Sequence, residues 1–250
     1  MKLAKPAHTL RARLGPALPS GRLERALRRG GPGQPLRLLC EVKRASPSRG
    51  TLNESFDPVA LARTYAAGGA AAISLVTEPD HFRGELEWLD RMRPEVSVPL
   101  LLKDFIVDAY QILDAAVRGA DGVLLIAALL SDTELQRWIG EAKLLGVDPL
   151  VEVHTEEELL IALRGGATLV GINHRDLRTF ELDLSLSERL LPRVPPMVTA
   201  VAESGIANPA DLERLRRTRC DAVLMGEVLM TSADPAATLA VLATAAKGAP

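Results

Sequence analysis

The sequence predicts an α/β fold, a closed (β/α)8 barrel with a short N-terminal extension. Eight short apolar runs alternate with longer amphipathic stretches after residue 35. Within these runs apolar and polar residues do not alternate, which is typical of parallel strands buried on both faces. Apolar residues make up 47% of the 250 residues and aromatic residues only 3%. The core must therefore be built from Leu, Val, Ile and Ala, which suit the packed layers of a barrel interior.

The predicted strands are the runs at 38–42, 72–76, 100–103, 122–126, 150–153, 169–172, 198–202 and 222–225. A doubly wound open sheet is the competing architecture. It would have about five or six strands and a glycine-rich turn after the first one. No G-x-G-x-x-G follows the run 38–42. The number of runs and this missing turn favour the barrel.

Helical patterns lie between several of these runs, and each has a plausible N-cap or a glycine at its end. Asp57, Thr155 and Asn208 are candidate N-caps, and Ser131 and Asp132 compete for the same role. Pro209 would occupy a first helical position. The predicted helices cover 58–68, 108–119, 131 or 132–145, 156–164 and 210–217.

Residues 1–35 are interpreted as an N-terminal extension and residues 36–250 as the barrel domain. Pro and Gly interrupt the extension, so only 22–29 is predicted to be a short helix. Residues 1–33 carry eight Lys or Arg residues, among them Lys2 and Lys5, against a single acid, Glu24. Three interpretations stay open: a solvated basic segment, a surface for anions, or an Arg-rich targeting segment.

Composition excludes several classes of protein. The net charge of −2 argues against a nucleic-acid-binding surface. No apolar run is long enough for a signal peptide or a membrane span, so we expect a soluble cytoplasmic protein. Cys40 and Cys220 are far apart, and we expect two buried free thiols in a reducing compartment. The four histidines lack ligand spacing, so no metal site is expected.

The first strand carries charged residues where a barrel interior should be apolar. Glu41 and Lys43 are separated by one residue, so both side chains point to the same side, while Cys40 and Val42 point to the helices. Opposite charges inside a barrel are costly unless they are paired. They could form a structural ion pair or belong to an active site at the barrel mouth.

Other strands end in the same way. Polar or charged residues stand at the carboxyl ends of four further strands: Lys103, Glu152, Asn173 and Glu203. Each alone could be a solvated loop residue, but barrel enzymes carry their sites on this face. Ser204-Gly205 and Gly226 follow strands seven and eight, where loops commonly bind phosphate through backbone N–H groups. Ordinary tight turns are the alternative for these glycines.

An ordered set of motifs resembles the family of indole-3-glycerol-phosphate synthases over about residues 36–232. The matching segments are 41–50 (EVKRASPSRG), 73–79 (ISLVTEP) with Phe82 and Gly84, 102–108 (LKDFIVD), 150–154 (LVEVH), 171–177 (GINHRDL), 201–206 (VAESGI) and 225–227 (MGE). Single segments are weak signals, but their order is specific. The chain departs from the family in its short N-terminal extension, in Arg49 where Lys is frequent, and in Glu227 where some members have Ser.

The resemblance implies a TIM barrel that converts 1-(2-carboxyphenylamino)-1-deoxyribulose 5-phosphate to indole-3-glycerol phosphate, CO2 and water, without a metal or organic cofactor. It implies Lys103 as the general acid and Glu152 as the general base. Lys43 would hold the anthranilate carboxylate or act as an acid, with Glu41 orienting it. Glu203 and Asn173 would bind hydroxyls or steady the lysines.

Eight further residues are expected around the substrate: Arg175 as a positive charge at the mouth, Ser46, Ser204, Gly205 and Gly226 for substrate or phosphate, and Phe82, Phe105 and Leu130 as apolar walls. For the last three, core packing is an equal alternative. The phosphorylated substrate is the expected partner, with other tryptophan-pathway enzymes as further candidates.

Two rival functions are weighed against this one. Phosphoribosylanthranilate isomerase shares the superfamily but uses a Cys at the end of strand one and an Asp on a later strand, whereas Cys40 should face outwards. A binding protein without catalysis would have lost the charged strand ends, and this chain keeps them.

Overall fold

The computed structural model describes residues 6–14, 21–54 and 56–248. Its centre is a closed barrel of eight parallel strands, in which each strand pairs with its neighbours in sequence and the last pairs with the first. In chain order β1–β8 are Arg37–Val42, Ala72–Val76, Leu100–Lys103, Gly122–Ile126, Asp148–Val153, Leu169–Asn173, Thr199–Glu203 and Ala222–Met225. The predicted (β/α)8 fold is therefore confirmed. The predicted strands are all present, and their bounds differ from the observed ones by two residues at most.

Helices surround the barrel. The α-helices are Ala7–Arg11, Arg22–Leu27, Pro58–Ala67, Glu87–Met92, Ala109–Val117, Asp132–Leu144, Glu156–Arg164, Leu186–Leu190, Pro209–Arg216, Glu227–Met230 and Pro235–Lys247. Three 3-10 turns are Arg93–Glu95, Ala127–Leu129 and Leu191–Arg193, and a small hairpin joins Ala45–Ser46 to Gly50–Thr51.

Side-chain caps set the start of the predicted helices. Asp57, Asp108, Thr155 and Asn208 each accept a backbone N–H in the first turn, as expected for an N-cap. Ser131, rather than Asp132, caps the helix Asp132–Leu144. The helices Ala7–Arg11, Glu87–Met92, Leu186–Leu190, Glu227–Met230 and Pro235–Lys247 were not predicted. Ala7–Arg11 corrects the prediction that 22–29 alone is helical in the extension.

Alternation along each strand divides the core in two. In β1, Leu39 belongs to the apolar cluster inside the barrel, whereas Cys40 and Val42 belong to the larger cluster between sheet and helices. The interior cluster fills the barrel below a cavity, and Leu124, Ile126 and Leu224 of this cluster also line that cavity. Its strand members are Leu39, Ala72, Leu101, Leu124, Ile126, Leu150, Leu169, Val201, Ala222 and Leu224.

The N-terminal extension closes the bottom of this interior. Leu23 and Leu27, from the helix Arg22–Leu27, are fully buried in the interior cluster. The carboxylate of Asp148, at the start of β5, accepts the backbone N–H groups of Gly21 (2.5 Å) and Glu24 (3.0 Å). The helix thus seals the face of the barrel opposite the predicted site.

Three arginines in and after this helix, Arg22, Arg28 and Arg29, contact the barrel, whereas Arg11, Arg13 and Arg25 of the same basic segment are exposed. Arg22 pairs with Asp121 at 2.6 Å, and Arg28 Nε donates to Thr199 Oγ1 at 3.0 Å. Arg29 is buried and donates to backbone carbonyls, including that of Thr218. These side chains fasten the extension to the barrel. Lys2 and Lys5, of the same predicted segment, lie outside the described residues.

Both cysteines are buried free thiols, as predicted. Burial raises the pKa of each thiol to about 12. Among the described residues there is no helix with both the length and the apolar character to cross a bilayer.

Candidate active site

One polar layer lies on top of the apolar interior of the barrel. Glu41, Lys103, Glu152 and Glu203 come from β1, β3, β5 and β7, which are alternate strands, as the members of one barrel layer should. Each stands two residues beyond an interior apolar residue of its own strand: Leu39, Leu101, Leu150 and Val201. The local sequence therefore fixes their direction, because positions i and i+2 of a strand point to the same side.

Lys103 sits at the centre of this layer. Its Nζ lies 2.9 Å from Glu152 Oε2 and 2.8 Å from Glu203 Oε2. Burial alone would lower the pKa of Lys103, but the negative charges of Glu152, Glu203 and Glu41 outweigh it and raise the pKa above its usual range. The ammonium group is therefore charged at neutral pH.

The two carboxylates beside Lys103 are not equivalent. Burial and the neighbouring charge of Glu152 raise the pKa of Glu203 to about 7, although Lys103 opposes this shift. Burial also acts on Glu152, but Lys103 and His154 outweigh it and lower the pKa of Glu152. Paired acids whose environments push their pKa values apart are typical of acid–base catalysis.

Lys43 and Glu41 form a second charged pair at the same rim. Lys43 Nζ lies 2.7 Å from Glu41 Oε1, and both side chains are largely buried. Glu41 Oε2 is buried and, within the described part of the chain, has no hydrogen-bond partner. A buried carboxylate oxygen without a partner is unfavourable in a purely structural ion pair.

Two glycines provide the space that the side chains of Glu203 and Glu41 occupy. A Cβ added at Gly171 would lie 1.9 Å from Glu203 Oε1, and one added at Gly226 would lie 2.5 Å from Glu41 Oε1. Gly226, which the sequence analysis connected with phosphate, thus also makes space for Glu41. The direct reason for Gly171 was missed, since nothing in the sequence shows that the side chain of Glu203 lies against it.

Asn173 and Arg175 extend the site along the loop after β6. The Asn173 side chain hydrogen-bonds Glu152, and its Oδ1 accepts the backbone N–H of Arg175 at 3.0 Å. The Arg175 guanidinium donates to the carbonyl of Phe180 at 3.0 Å and lies 3.8 Å from Glu227 Oε2. Arg175 therefore presents positive charge at the mouth, where it was expected.

The residues expected to bind phosphate lie in the loops after β7 and β8. Ser204 and Gly205 both have left-handed backbones, with φ of 67° and 76°, a conformation that non-glycine residues seldom adopt. Gly226 directly precedes the helix Glu227–Met230, and the first N–H groups of a helix have no acceptor within that helix. Ser46 Oγ, from the loop after β1, is buried and unpartnered among the described residues.

These groups line one cavity of about 460 Å³. Thirteen of the fourteen predicted site residues line it: Glu41, Lys43, Ser46, Phe82, Lys103, Phe105, Glu152, Asn173, Arg175, Glu203, Ser204, Gly205 and Gly226. The rings of Phe82 and Phe105 are 6.3 Å apart. Leu130 is not among the lining residues and packs instead against the core between sheet and helices.

Several lining residues were not predicted. Asp104 follows Lys103 and accepts a hydrogen bond from Thr77 Oγ1 at 2.7 Å, and burial raises its pKa. Glu78 accepts the backbone N–H groups of Asp80, His81 and Phe82 and so shapes the loop that carries Phe82. Leu177, Phe180 and Leu182 add an apolar wall from the loop after β6. Both acids and Leu177 stand inside motifs already quoted, whereas Phe180 and Leu182 have no sequence signal of their own.

Residues 6–14, 21–54 and 56–248 contain no group of three or more His, Cys, Asp or Glu side chains that could hold a metal ion.

Comparisons with known proteins agree on one family. The model of the family described as indole-3-glycerol phosphate synthase matches residues 1–242 of this chain. A curated protein named indole-3-glycerol phosphate synthase from Sulfurimonas denitrificans is 50% identical over 208 residues, which cover 83% of this chain and 79% of the relative. Proteins of the same name from Dehalococcoides mccartyi and Campylobacter jejuni are 49% and 47% identical over 208 and 207 residues, covering 82% and 83% of this chain and 80% of each relative.

A solved structure supports the fold alone. The thiamine phosphate pyrophosphorylase from Pyrococcus furiosus superimposes with a TM-score of 0.61 at 18% sequence identity, over 84% of this chain and 95% of that one.

Proposed function

The chain belongs to the indole-3-glycerol phosphate synthase family, and we propose that the polar layer at the mouth of its barrel performs the family's reaction. The protein is a carboxy-lyase of tryptophan biosynthesis, which acts on 1-(2-carboxyphenylamino)-1-deoxyribulose 5-phosphate. The single observation that carries the residue assignment is the position of Lys103, hydrogen-bonded to two acids on alternate strands.

The reaction sets the chemical requirements. The ring carbon that bears the carboxylate bonds to the ketone carbon, and the ketone oxygen becomes a hydroxyl. Loss of CO2 then restores the aromatic ring, and loss of water completes the indole. These steps need an acid at the ketone oxygen, a base for a proton of the substrate, and cations for the carboxylate and the phosphate.

Lys103 is the general acid. Glu152 and Glu203 keep it protonated and aim its Nζ along the barrel axis. Its raised pKa makes it a weak acid in this state. A substrate ketone that replaced one of the two carboxylates would remove part of the charge that raises the pKa, and the ammonium would become more acidic at the moment when negative charge develops on oxygen.

Glu152 is the general base of the dehydration. Its lowered pKa keeps it ionised at neutral pH, and Asn173 and Lys103 fix its orientation. Lys43, oriented by Glu41 at 2.7 Å, is the cation for the anthranilate carboxylate. Glu203 steadies Lys103 and supplies the second carboxylate at the substrate hydroxyls.

The two ends of the cavity bind the two ends of the substrate. Backbone N–H groups around Gly205 and Gly226, with Ser46, Ser204 and Arg175, are the phosphate ligands. Phe82 and Phe105 enclose the aromatic ring, since they are adjacent and line the same cavity. We leave Leu130 out of this proposal because it packs in the outer core.

The proposed division is one catalytic barrel, residues 36–250, and an extension, residues 1–35, whose helix Arg22–Leu27 forms the floor of the barrel. Burial of Leu23 and Leu27 in the interior cluster supports this division. A cytoplasmic location is supported by the two free cysteines, which an oxidising compartment would disfavour. Other enzymes of tryptophan biosynthesis are proposed as partners on functional grounds alone.

The alternative, an isomerase of phosphoribosylanthranilate, is not favoured. That reaction was expected to need a cysteine at the end of β1. Cys40 is fully buried in the core outside the sheet, and its thiol pKa is raised, so it cannot serve there.

The test is an activity assay with both substrates. The protein is expected to form the indole chromophore from 1-(2-carboxyphenylamino)-1-deoxyribulose 5-phosphate and no product from phosphoribosylanthranilate. Lys103→Ala should remain folded, with a lower thermal midpoint because Glu152 and Glu203 lose their cation, and should lose about 10²–10⁴-fold in kcat, the typical contribution of one positioned proton donor. Near-normal turnover by this variant would remove Lys103 from the mechanism.

A further inference from the structure

His154 lies next to the proposed general base, Glu152. It follows β5 and points to the same side as Glu152, two residues earlier, and its side chain is almost buried. His154 Nε2 lies 3.5 Å from Glu152 Oε1, whereas Lys103 holds the other oxygen, Oε2. The two oxygens of the base therefore face two different cationic or proton-donating groups.

The other side of the imidazole is fixed by Glu158. Glu158 Oε2 lies 3.4 Å from His154 Nδ1 and accepts the backbone N–H of His154 at 2.7 Å. Glu158 itself is anchored in the first turn of the helix Glu156–Arg164, where its N–H donates to the N-cap Thr155. The ring is thus held between a carboxylate of the helix and a carboxylate of the active site.

His154 Nε2 is buried and has no hydrogen-bond partner anywhere in the described chain. Leaving such a group unpaired costs free energy, so its position calls for an explanation. A small rotation of the ring or of Glu152 would close the 3.5 Å gap to Oε1. No metal-ligand cluster is present at this place among the described residues.

We propose that His154 is a positioning residue for Glu152: Glu158 orients the imidazole through Nδ1, and Nε2–H faces Glu152 Oε1 and holds that carboxylate ionised while it acts on the substrate. This inference rests on the proposed role of Glu152. It assigns to a residue outside the cavity lining the task of setting the protonation state of the base.

The charges around the ring agree with this role. Three carboxylates act on the imidazole: Glu152 from β5, Glu158 from the following helix, and Glu203 from β7. Lys103 contacts two of these acids, Glu152 and Glu203. Burial lowers the pKa of His154, but Glu158 and the other carboxylates outweigh it and raise the pKa. A protonated His154 in turn lowers the pKa of Glu152, together with Lys103.

The experiment compares pH profiles of kcat/KM for His154→Gln, His154→Leu and Glu158→Gln with the unmodified enzyme. Both His154 variants remove the positive charge, so the acid limb should move to higher pH by about one unit, the low end of the effect of a neighbouring charge. His154→Gln keeps an N–H donor and should retain more kcat than His154→Leu. KM should change less than kcat.

Glu158→Gln tests the orientation of the ring. Without the carboxylate beside Nδ1 the imidazole is held less firmly, so kcat should fall, while the acid limb stays in place because His154 is still protonated at the pH of that limb. The matched control is Glu156→Gln, on the same helix but paired with Arg193 at the surface, which should leave the whole profile unchanged.

The outcomes separate the two claims. If the unmodified enzyme is active, Lys103→Ala is inactive, and folded His154 variants keep the original acid limb, the role of His154 is refuted while the proposed function stands. If His154→Leu fails to fold, His154→Gln decides by the same criterion. An active Lys103→Ala variant would instead refute the proposed function itself.

Discussion

Replacing Gly171 by Ala tests whether the layer of charged side chains needs its exact spacing. The added Cβ would lie 1.9 Å from Glu203 Oε1 and 3.0 Å from its Cδ. Real Cβ contacts are essentially never shorter than 3.0 Å, so the carboxylate must move by at least about 1 Å. Glu203 is buried and its other oxygen holds Lys103 at 2.8 Å, so this movement displaces the proposed acid as well.

The expected size of the effect follows from that displacement. A misplacement of about 1 Å in a catalytic group can cost on the order of 10²-fold in rate, or about 2.7 kcal/mol of transition-state stabilisation. Overpacking a core site costs about 1–3 kcal/mol of folding stability. Gly171→Ala should therefore fold, with a lower thermal midpoint, and lose about 100-fold in kcat.

The assay is indole formation under steady-state conditions beside thermal unfolding of the same sample. Gly140→Ala is the matched control, because that glycine lies in the helix Asp132–Leu144 and a Cβ there meets nothing within 4 Å. It should keep full activity and gain about 0.5–1 kcal/mol from helix propensity. Full activity of Gly171→Ala would show that Glu203 is free to shift and that its contact with Lys103 is not needed.

Three further outcomes are expected. Leu23→Ala should lower the free energy of unfolding by about 2–5 kcal/mol, because Leu23 is buried in the barrel floor. Its kcat at 25 °C should be nearly unchanged. An unaltered thermal midpoint would contradict the role of Leu23. Glu227→Gln should lower KM about fivefold, since Arg49 (2.9 Å) and Arg175 (3.8 Å) lose the carboxylate that competes with the substrate phosphate; a raised KM would show that Glu227 helps binding. The pKa of Glu203 is raised in the fold to about 7, so the folded protein favours the protonated side chain. The stability that this gives is fully present below the unfolded pKa near 4.5 and is lost as the pH rises through about 7. Glu203→Gln should therefore be more thermostable than the unmodified protein at pH 8, with a smaller difference at pH 5, while it loses activity; equal gaps at both pH values would refute this linkage.

The barrel could be predicted because its signal is repeated. Every strand is a short apolar run, and eight of them between helices of ordinary length leave few other architectures. The helix caps were equally readable, since Asp57, Thr155 and Asn208 act through a local hydrogen bond to the first turn. The helices Glu87–Met92 and Leu186–Leu190 were missed because they are short and their stability comes from packing rather than from local propensity.

The direction of the charged residues was also predictable, because strand alternation decides it. Glu41 and Lys103 could be placed inside the barrel from their spacing to Leu39 and Leu101. What the sequence could not supply is the distance between strands that are far apart along the chain. The contact of Lys103 with both Glu152 and Glu203 depends on barrel closure.

Functions of the N-terminal extension were predicted less well. Its arginines suggested a solvated or anion-binding segment, yet Arg28 and Arg29 bind groups at the bottom of the barrel. Composition reports charge but not the acceptors that the charge will meet, and these acceptors come from distant strand ends. For Leu130 the sequence left cavity wall and core packing open, because an apolar residue near a strand end can face either side, and it packs in the outer core.

A crystal structure with an unreactive substrate analogue, in which the ketone is reduced to an alcohol, tests the central claim most directly. The alcohol oxygen should lie within hydrogen-bond distance of Lys103 Nζ, with the phosphate on the backbone N–H groups of Gly205 and Gly226. The aromatic ring should lie beside Phe82 and Phe105. An alcohol oxygen far from Lys103, or a phosphate bound outside the loops after β7 and β8, would contradict the assignment of the acid and of the phosphate site.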